Sequence, residues 1–207
     1  LNKNAVQVLR ATAILQLAEI LEGDASYTLK TAKSLYPDNP EILLIHASND
    51  VQNKKLIQAD DTYGRVIALE PAKFLTANGR KARIGLARLQ IIDKNFDAIN
   101  TTLEPLLKRN DKDPEVNFLI GLLALNQGEY KRAEDHVRKL LAVVPDNSQA
   151  QQLMGKIKYT IKDFDQAAHQ LSSYLNAVPE DSNIRTLLSK TYLILHQPEQ
   201  ARITLQL

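Results

Sequence analysis

Four histidines, His46, His136, His169 and His196, are the side chains of this sequence best suited to metal or acid–base chemistry. None has a second His or a carboxylate at a spacing such as HExxH, which would set two imidazoles and a base on one helix face. Each reads as a helix-surface or partly buried side chain. Asp60 and Asp61 are adjacent carboxylates. Residues at i and i+1 do not share a helix face, so the pair reads as solvated surface rather than as an acid–base couple. No G-x-S-x-G, phosphate-cradling glycine loop or EF-hand loop is present. The chain has no Cys, which removes disulfides and thiolate metal sites. With only seven Gly and no long loop, there is little material for a pocket built on loops. The expectation is a non-enzymatic chain with no catalytic, cofactor or metal residues.

The elements that would carry any other function are helices. Of 207 residues, 44% are apolar and 24% charged, a composition that folds. Leu, Ala, Lys and Gln are abundant, and all favour helix. The net charge is +2 and the basic residues are dispersed. Nucleic-acid binding wants a concentrated basic stripe, so no nucleic-acid partner is expected. The longest apolar run, Phe118 to Leu125, has eight residues, far short of a membrane span. The sequence opens at Leu1 without Met and stops at Leu207 inside a helical pattern. The expectation is a fragment of a longer protein, with any targeting segment outside it.

A 34-residue period runs through the chain. It separates Pro37 from Pro71, Pro145 from Pro179, Ala25 from Ala59, and Gly121 from Gly155. It also links Ala133, Ala167 and Ala201, and Phe96, Tyr130 and Phe164. A six-residue lengthening at Phe74–Gly79 accounts for the wider gap between Pro71 and Pro145. The repeats are expected at about 6–39, 40–73, 80–113, 114–147, 148–181 and a truncated 182–207. Each reads as helix, turn, helix, turn. Asn39 and Asp113 are natural N-caps before Pro40 and Pro114, Asn147 caps the following helix, and Asp163 can cap the second helix of the fifth repeat. Pro198 suits a first turn.

The order of small, apolar and Pro positions at this period resembles the tetratricopeptide repeat, best at Gly121, Gly128, Tyr130, Ala133 and Pro145. The fold implied is an all-α solenoid of antiparallel helical hairpins, curved into a superhelix. Gly121 and Ala133 would let the two helices of a hairpin approach, and Tyr130 and Phe164 would fill the hollow between hairpins. The usual Trp near the start of the first helix is absent; Asn117 and Gln151 stand there. Thr102–Leu107 with Asp113–Leu125, and Asp163–Ala167 with Val178-Pro179, are similar to the large tetratricopeptide lipoproteins of bacterial PEP-CTERM/exosortase systems, which accompany exopolysaccharide loci.

In that family the concave groove is lined by the first helix of each repeat. The resemblance places Glu41, Leu44, Ser48 and Val51 there in the second repeat, and Lys81, Ile84, Arg88 and Ile91 in the third. Glu115, Phe118, Leu122 and Leu125 follow in the fourth, Gln149, Gln152, Lys156 and Tyr159 in the fifth, and Asn183, Thr186, Lys190 and Leu193 in the sixth. Ile84, Ile91, Phe118, Leu122 and Leu125 form an apolar patch that would either dock an apolar or amphipathic peptide or pack on a neighbouring helix. Arg88, Lys156 and Lys190 would either hold acidic groups or keep the surface wet. The carboxylate clamp of chaperone-tail binders does not match, since Arg88 and Lys156 lack the paired Asn residues.

The function expected is a scaffold binding a protein or peptide in the groove. Its expected setting is exopolysaccharide assembly or export in the bacterial cell envelope or periplasm. The alternatives are a groove that binds an acidic polysaccharide itself, and a cytoplasmic adaptor or passive spacer.

Overall fold

The computed structural model describes residues 3–18, 22–71 and 75–206. Leu1, Phe74 (the expected start of the lengthening) and Leu207 lie outside the described residues, as does the side chain of Ala25. Among the described residues there are twelve α-helices and no strand. They are α1 (Lys3–Ala18), α2 (Glu22–Leu35), α3 (Pro40–Gln52), α4 (Leu56–Ala68), α5 (Ala77–Ile92) and α6 (Phe96–Arg109), then α7 (Pro114–Asn126), α8 (Tyr130–Val143), α9 (Ser148–Thr160), α10 (Phe164–Ala177), α11 (Ser182–Ile194) and α12 (Pro198–Gln206). α1 and α2, α3 and α4, α7 and α8, α9 and α10, and α11 and α12 pair as hairpins, and within each unit the second helix of one hairpin packs on the first helix of the next, α2 on α3, α4 on α5, α8 on α9 and α10 on α11. This is the all-α, solenoid class of fold expected from the repeat. The helices group into two compact units, Leu1–Leu106 and Leu107–Leu207, with the boundary inside α6.

Local chemistry starts the first helices. The Glu41 and Ile42 N–H groups donate to Asn39 Oδ1, and those of Glu115 and Val116 donate to Asp113 Oδ1. Pro40 and Pro114 take the first helical positions, where the missing N–H costs nothing. Asn147 and Asp181 repeat the device for α9 and α11. Asp163 does not: its side chain makes no cap bond and instead accepts from Lys158 Nζ at 3.0 Å. A positive charge within reach outbids a backbone N–H for the carboxylate. The third repeat also starts earlier than expected. Thr76 caps α5, which has 16 residues where α3, α7, α9 and α11 have 13.

The turn inside five hairpins is one motif. Lys54, Lys94, Gly128, Lys162 and His196 sit in the left-handed region, with φ between 56° and 77°. At each, two backbone bonds close the helix end, as in Lys162 N–H to Tyr159 O and Asp163 N–H to Lys158 O. This is the Schellman arrangement, which satisfies carbonyls that the helix leaves open. The last four of these residues follow at 34-residue intervals, and Lys54 precedes Lys94 by six more. The turn therefore registers both the repeat and its lengthening, with Lys or His where Gly is the easier residue.

Polar donors occupy the position where the resemblance would place Trp. Asn117 donates to Asp111 O at 2.9 Å and Gln151 to Pro145 O at 3.1 Å, while Arg185 donates to Pro179 O. Each bond reaches back six residues and ties the preceding inter-hairpin turn to the helix. In the third repeat Arg83 does this through Glu70, whose carboxylate also accepts from the Thr76 N–H and hydroxyl.

The core is distributed. One cluster takes Leu43, Ala47, Ala59, Tyr63, Val66, Ala82 and Leu89 from α3, α4 and α5. Another takes Ala124, Val137, Leu140, Leu153 and Ile157 from α7, α8 and α9. A third joins Leu171 and Tyr174 to Ile184 and Leu188. Every cluster borrows from the next hairpin, because one hairpin cannot cover both of its apolar faces. Burying each large aliphatic side chain is worth about 1.5–3 kcal/mol. Gly121 and Gly155 set the hairpin spacing: a Cβ would meet Val137 Cγ2 at 2.7 Å and Leu171 Cδ2 at 2.6 Å. Tyr130 does not fill a hollow as expected. It is 38% exposed at the first position of α8. Phe164 packs inside its own hairpin, edge-on to Tyr159 with ring centroids 5.6 Å apart.

Candidate functional site

The groups with titratable chemistry serve the fold. His46 Nδ1 lies 2.9 Å from Asp50 Oδ2, out of line for a hydrogen bond. Burial holds His46 below its ordinary pKa against the pull of Asp50, helped by Lys33 and Lys55. His136 packs on Asn117, and burial, with the charges of Lys139 and Arg132, holds it low as well. His169 and His196 are exposed. Asp60 and Asp61 are exposed on α4; partial burial, then the charges of Asp61 and Asp93, raises Asp60. Lys158 bridges Glu134 and Asp163 at 3.1 and 3.0 Å. Among the described residues, no group of three or more His, Asp or Glu side chains is placed to hold a metal ion. No described helix is long and apolar enough to cross a membrane.

Within the first unit, the first helices of three hairpins meet, α3 contacting both α1 and α5. Over them lies a hollow of about 340 Å³. Arg10 of α1 and Glu41 of α3 form an ion pair across it, Nη1 to Oε2 at 3.1 Å. Leu44, Ile45 and Ser48 contribute from α3, and Asn78 and Lys81 from α5. Glu41, Leu44, Ser48 and Lys81 are four of the residues that the resemblance places in the groove. The i, i+3, i+7 spacing of Glu41, Leu44 and Ser48 keeps these three on one face of α3. Arg10, Ile45 and Asn78 were not expected. Arg10 carries no signal in a single sequence, because its partner Glu41 is 31 positions away.

The other expected groove residues are placed as follows. Ile84 is buried in α5, Ile91 is half-buried and Arg88 is exposed. In the second unit, Phe118, Leu122 and Leu125 are half-buried on α7 and rest against the α7–α8–α9 cluster. Lys156 and Tyr159 are half-buried on α9, and Lys190 is exposed on α11. Gln152, one turn before Lys156, donates to Asp181 Oδ2 at 3.2 Å, and Tyr174 Oη donates to the same oxygen at 2.8 Å. Burial pushes the Asp181 carboxyl up. Bonds from the Ile184 N–H, Tyr174 and the Asn183 N–H, with the charge of Lys156, outweigh it and hold the group below its ordinary value.

Residues 90–157 match the tetratricopeptide repeat family. The chain is similar in structure to PilW, described as a widely conserved type IV pilus biogenesis factor. Identity is 15%, TM-score 0.83, and the match covers 99% of this chain and 91% of PilW. It is similar to a chain of the APC/C hetero-tetramer Cut9–Hcn1 at 18% identity and TM-score 0.81, covering 97% of this chain but only 39% of that one. YrrB, described as a TPR protein with an unusual peptide-binding site, matches at 14% identity and TM-score 0.62 over 85% of this chain and 88% of its own. The fold is similar to that of tetratricopeptide-repeat proteins, and residues 90–157 carry the family match.

Proposed function

We propose that this chain is a non-enzymatic scaffold that holds a protein or peptide partner on the face formed by the first helices of its hairpins. The observation that carries the reading is the hollow over α1, α3 and α5, where Ser48, Asn78 and Lys81 present polar groups beside Leu44 and Ile45. The hollow is open and has the mixed lining that recognition of an extended segment requires. YrrB, with the same fold, is described as having a peptide-binding site. The setting we propose is a bacterial cell-envelope system of the exopolysaccharide, PEP-CTERM type, on the strength of the runs Thr102–Leu107 with Asp113–Leu125, and Asp163–Ala167 with Ser173–Leu175 and Val178-Pro179.

A photo-crosslinking residue at Ser48, compared with one at the exposed Ile57 of α4, tests the binding face in the native cell. Protein adducts at Ser48 and none at Ile57 are expected. Adducts at Ile57 alone, or glycan adducts at Ser48, overturn the reading. Fractionation of the native full-length protein tests the setting, and recovery in the cytoplasm alone sinks it.

A further inference from the structure

α5 starts ahead of the repeat register. Pro114, Ser148 and Ser182 open their helices at 34-residue intervals, and the same interval places the start of α5 at Arg80. The helix opens at Ala77 instead, so residues 77–79 are an added turn. That turn carries Asn78, which lines the hollow beside Lys81.

The added turn is held by Glu70, just after α4. Glu70 Oε1 accepts from the Thr76 N–H at 2.8 Å and from its hydroxyl at 3.2 Å, and Oε2 accepts from Arg83 Nη2 at 3.3 Å. Thr76 Oγ1 in turn accepts from the Gly79 N–H at 2.9 Å. The Glu70 side chain is 8% exposed. A carboxylate that buried is tolerated where it is paired and bonded, and the start of a helix favours it further. Its room comes from Gly79, where a Cβ would lie 1.7 Å from Glu70 Oε1. Glu70, Thr76, Gly79 and Arg83 therefore close as one latch around a side chain that is missing.

We infer that Glu70 is a positioning residue for the binding face, fixing the added turn of α5 so that Asn78 stands in the hollow. The inference rests on the reading that a peptide or protein partner binds on this face, and adds what shapes the site. Helix propensity alone makes Ala the better residue at position 79. The latch makes it the worse one, because a methyl there expels the carboxylate. The two accounts of Gly79 predict opposite effects of Gly79→Ala.

The test adds Gly79→Ala, Glu70→Ala or Glu70→Gln to the native full-length protein carrying the photo-crosslinking residue at Ser48. Asp38→Ala, which removes an exposed ion pair with Arg65 in the same unit, is the control. Hydrogen exchange of the purified variants compares the amides of positions 79 and 80 with those of Ile42 and Leu43 in α3. Gly79→Ala and Glu70→Ala should speed exchange at 79 and 80 about tenfold, leave α3 protected, and cut Ser48 adducts by a similar factor. Glu70→Gln, which keeps an oxygen for the Thr76 N–H, should fall between wild type and Glu70→Ala, and Asp38→Ala should match wild type. Faster exchange at 79 and 80 with unchanged adducts overturns the positioning role and leaves the binding reading standing. Unchanged exchange in Gly79→Ala overturns the latch, and adducts lost only together with α3 protection mark general unfolding and overturn the role as well. No adduct at Ser48 in wild type overturns the binding reading, and the positioning role with it.

Discussion

Asn117 Oδ1 and His136 Nδ1 lie 2.8 Å apart inside the fourth hairpin, joining α7 to α8 where the resemblance would place a Trp. Asn117 is fully buried. Its Nδ2 donates to Asp111 O and Asp113 O, so both amide hydrogens are committed and Oδ1 must accept. The hydrogen in the contact therefore belongs to His136 Nδ1. A small polar network takes the place of a large ring, holding the preceding turn and the partner helix at once.

Asn117→Leu removes three hydrogen bonds and leaves the His136 donor and the two turn carbonyls short of partners. A loss of about 2–3 kcal/mol is expected in urea unfolding, with an unchanged helical spectrum in the folded state. Full retention of stability would contradict the network.

Acid should weaken the fold before carboxylates titrate. His46 and His136 both have folded pKa values below the ordinary 6.5. The folded chain thus binds protons less readily than the unfolded one. The stability they contribute is present above about pH 6.5 and is lost as pH falls from there through the lowered values. The melting temperature should drop between pH 7 and 5.5, and drop less in His46→Gln/His136→Gln. A wild-type melting temperature that rises on this acidification would refute the assignment.

The left-handed turns can be eased one at a time. Lys162→Gly removes the Cβ penalty at φ 65° and should stabilise by about 0.5–1 kcal/mol. Lys54→Gly and Lys94→Gly should act alike, and Gly128→Lys should cost a similar amount. Thermal unfolding of the four variants reads this directly.

Glycines inside helices should divide by what surrounds them. Gly155→Ala drives a methyl to 2.6 Å from Leu171 Cδ2 and 3.3 Å from Leu171 N, so the hairpin must open, at about 1–3 kcal/mol. Gly64→Ala, in α4 with nothing within 4 Å, should stabilise by about 0.5–1 kcal/mol through helix propensity. Equilibrium unfolding that ranks the two variants the other way would contradict the packing.

The sequence by itself determined what depends on residues close along the chain. Asn39-Pro40 and Asp113-Pro114 write their helix starts in adjacent letters, and the spacing of Gly121 and Gly155 writes the repeat. The first-helix face was legible too, since Leu44 and Ser48 follow Glu41 at helical spacing. The tertiary structure decided what depends on partners distant in sequence. Lys54, Lys94 and Lys162 do not look like turn residues, and only the backbone reveals their shared left-handed conformation. Asp163 has a capping residue's sequence, but Lys158, which also pairs with Glu134 of α8, claims its carboxylate. Tyr130 occupies a packing position of the repeat yet stays exposed. Arg10 enters the hollow only because α1 folds against α3, which brings it to Glu41. Side-chain commitments of this kind are settled by competition among neighbours, and those neighbours are assembled only when the hairpins stack.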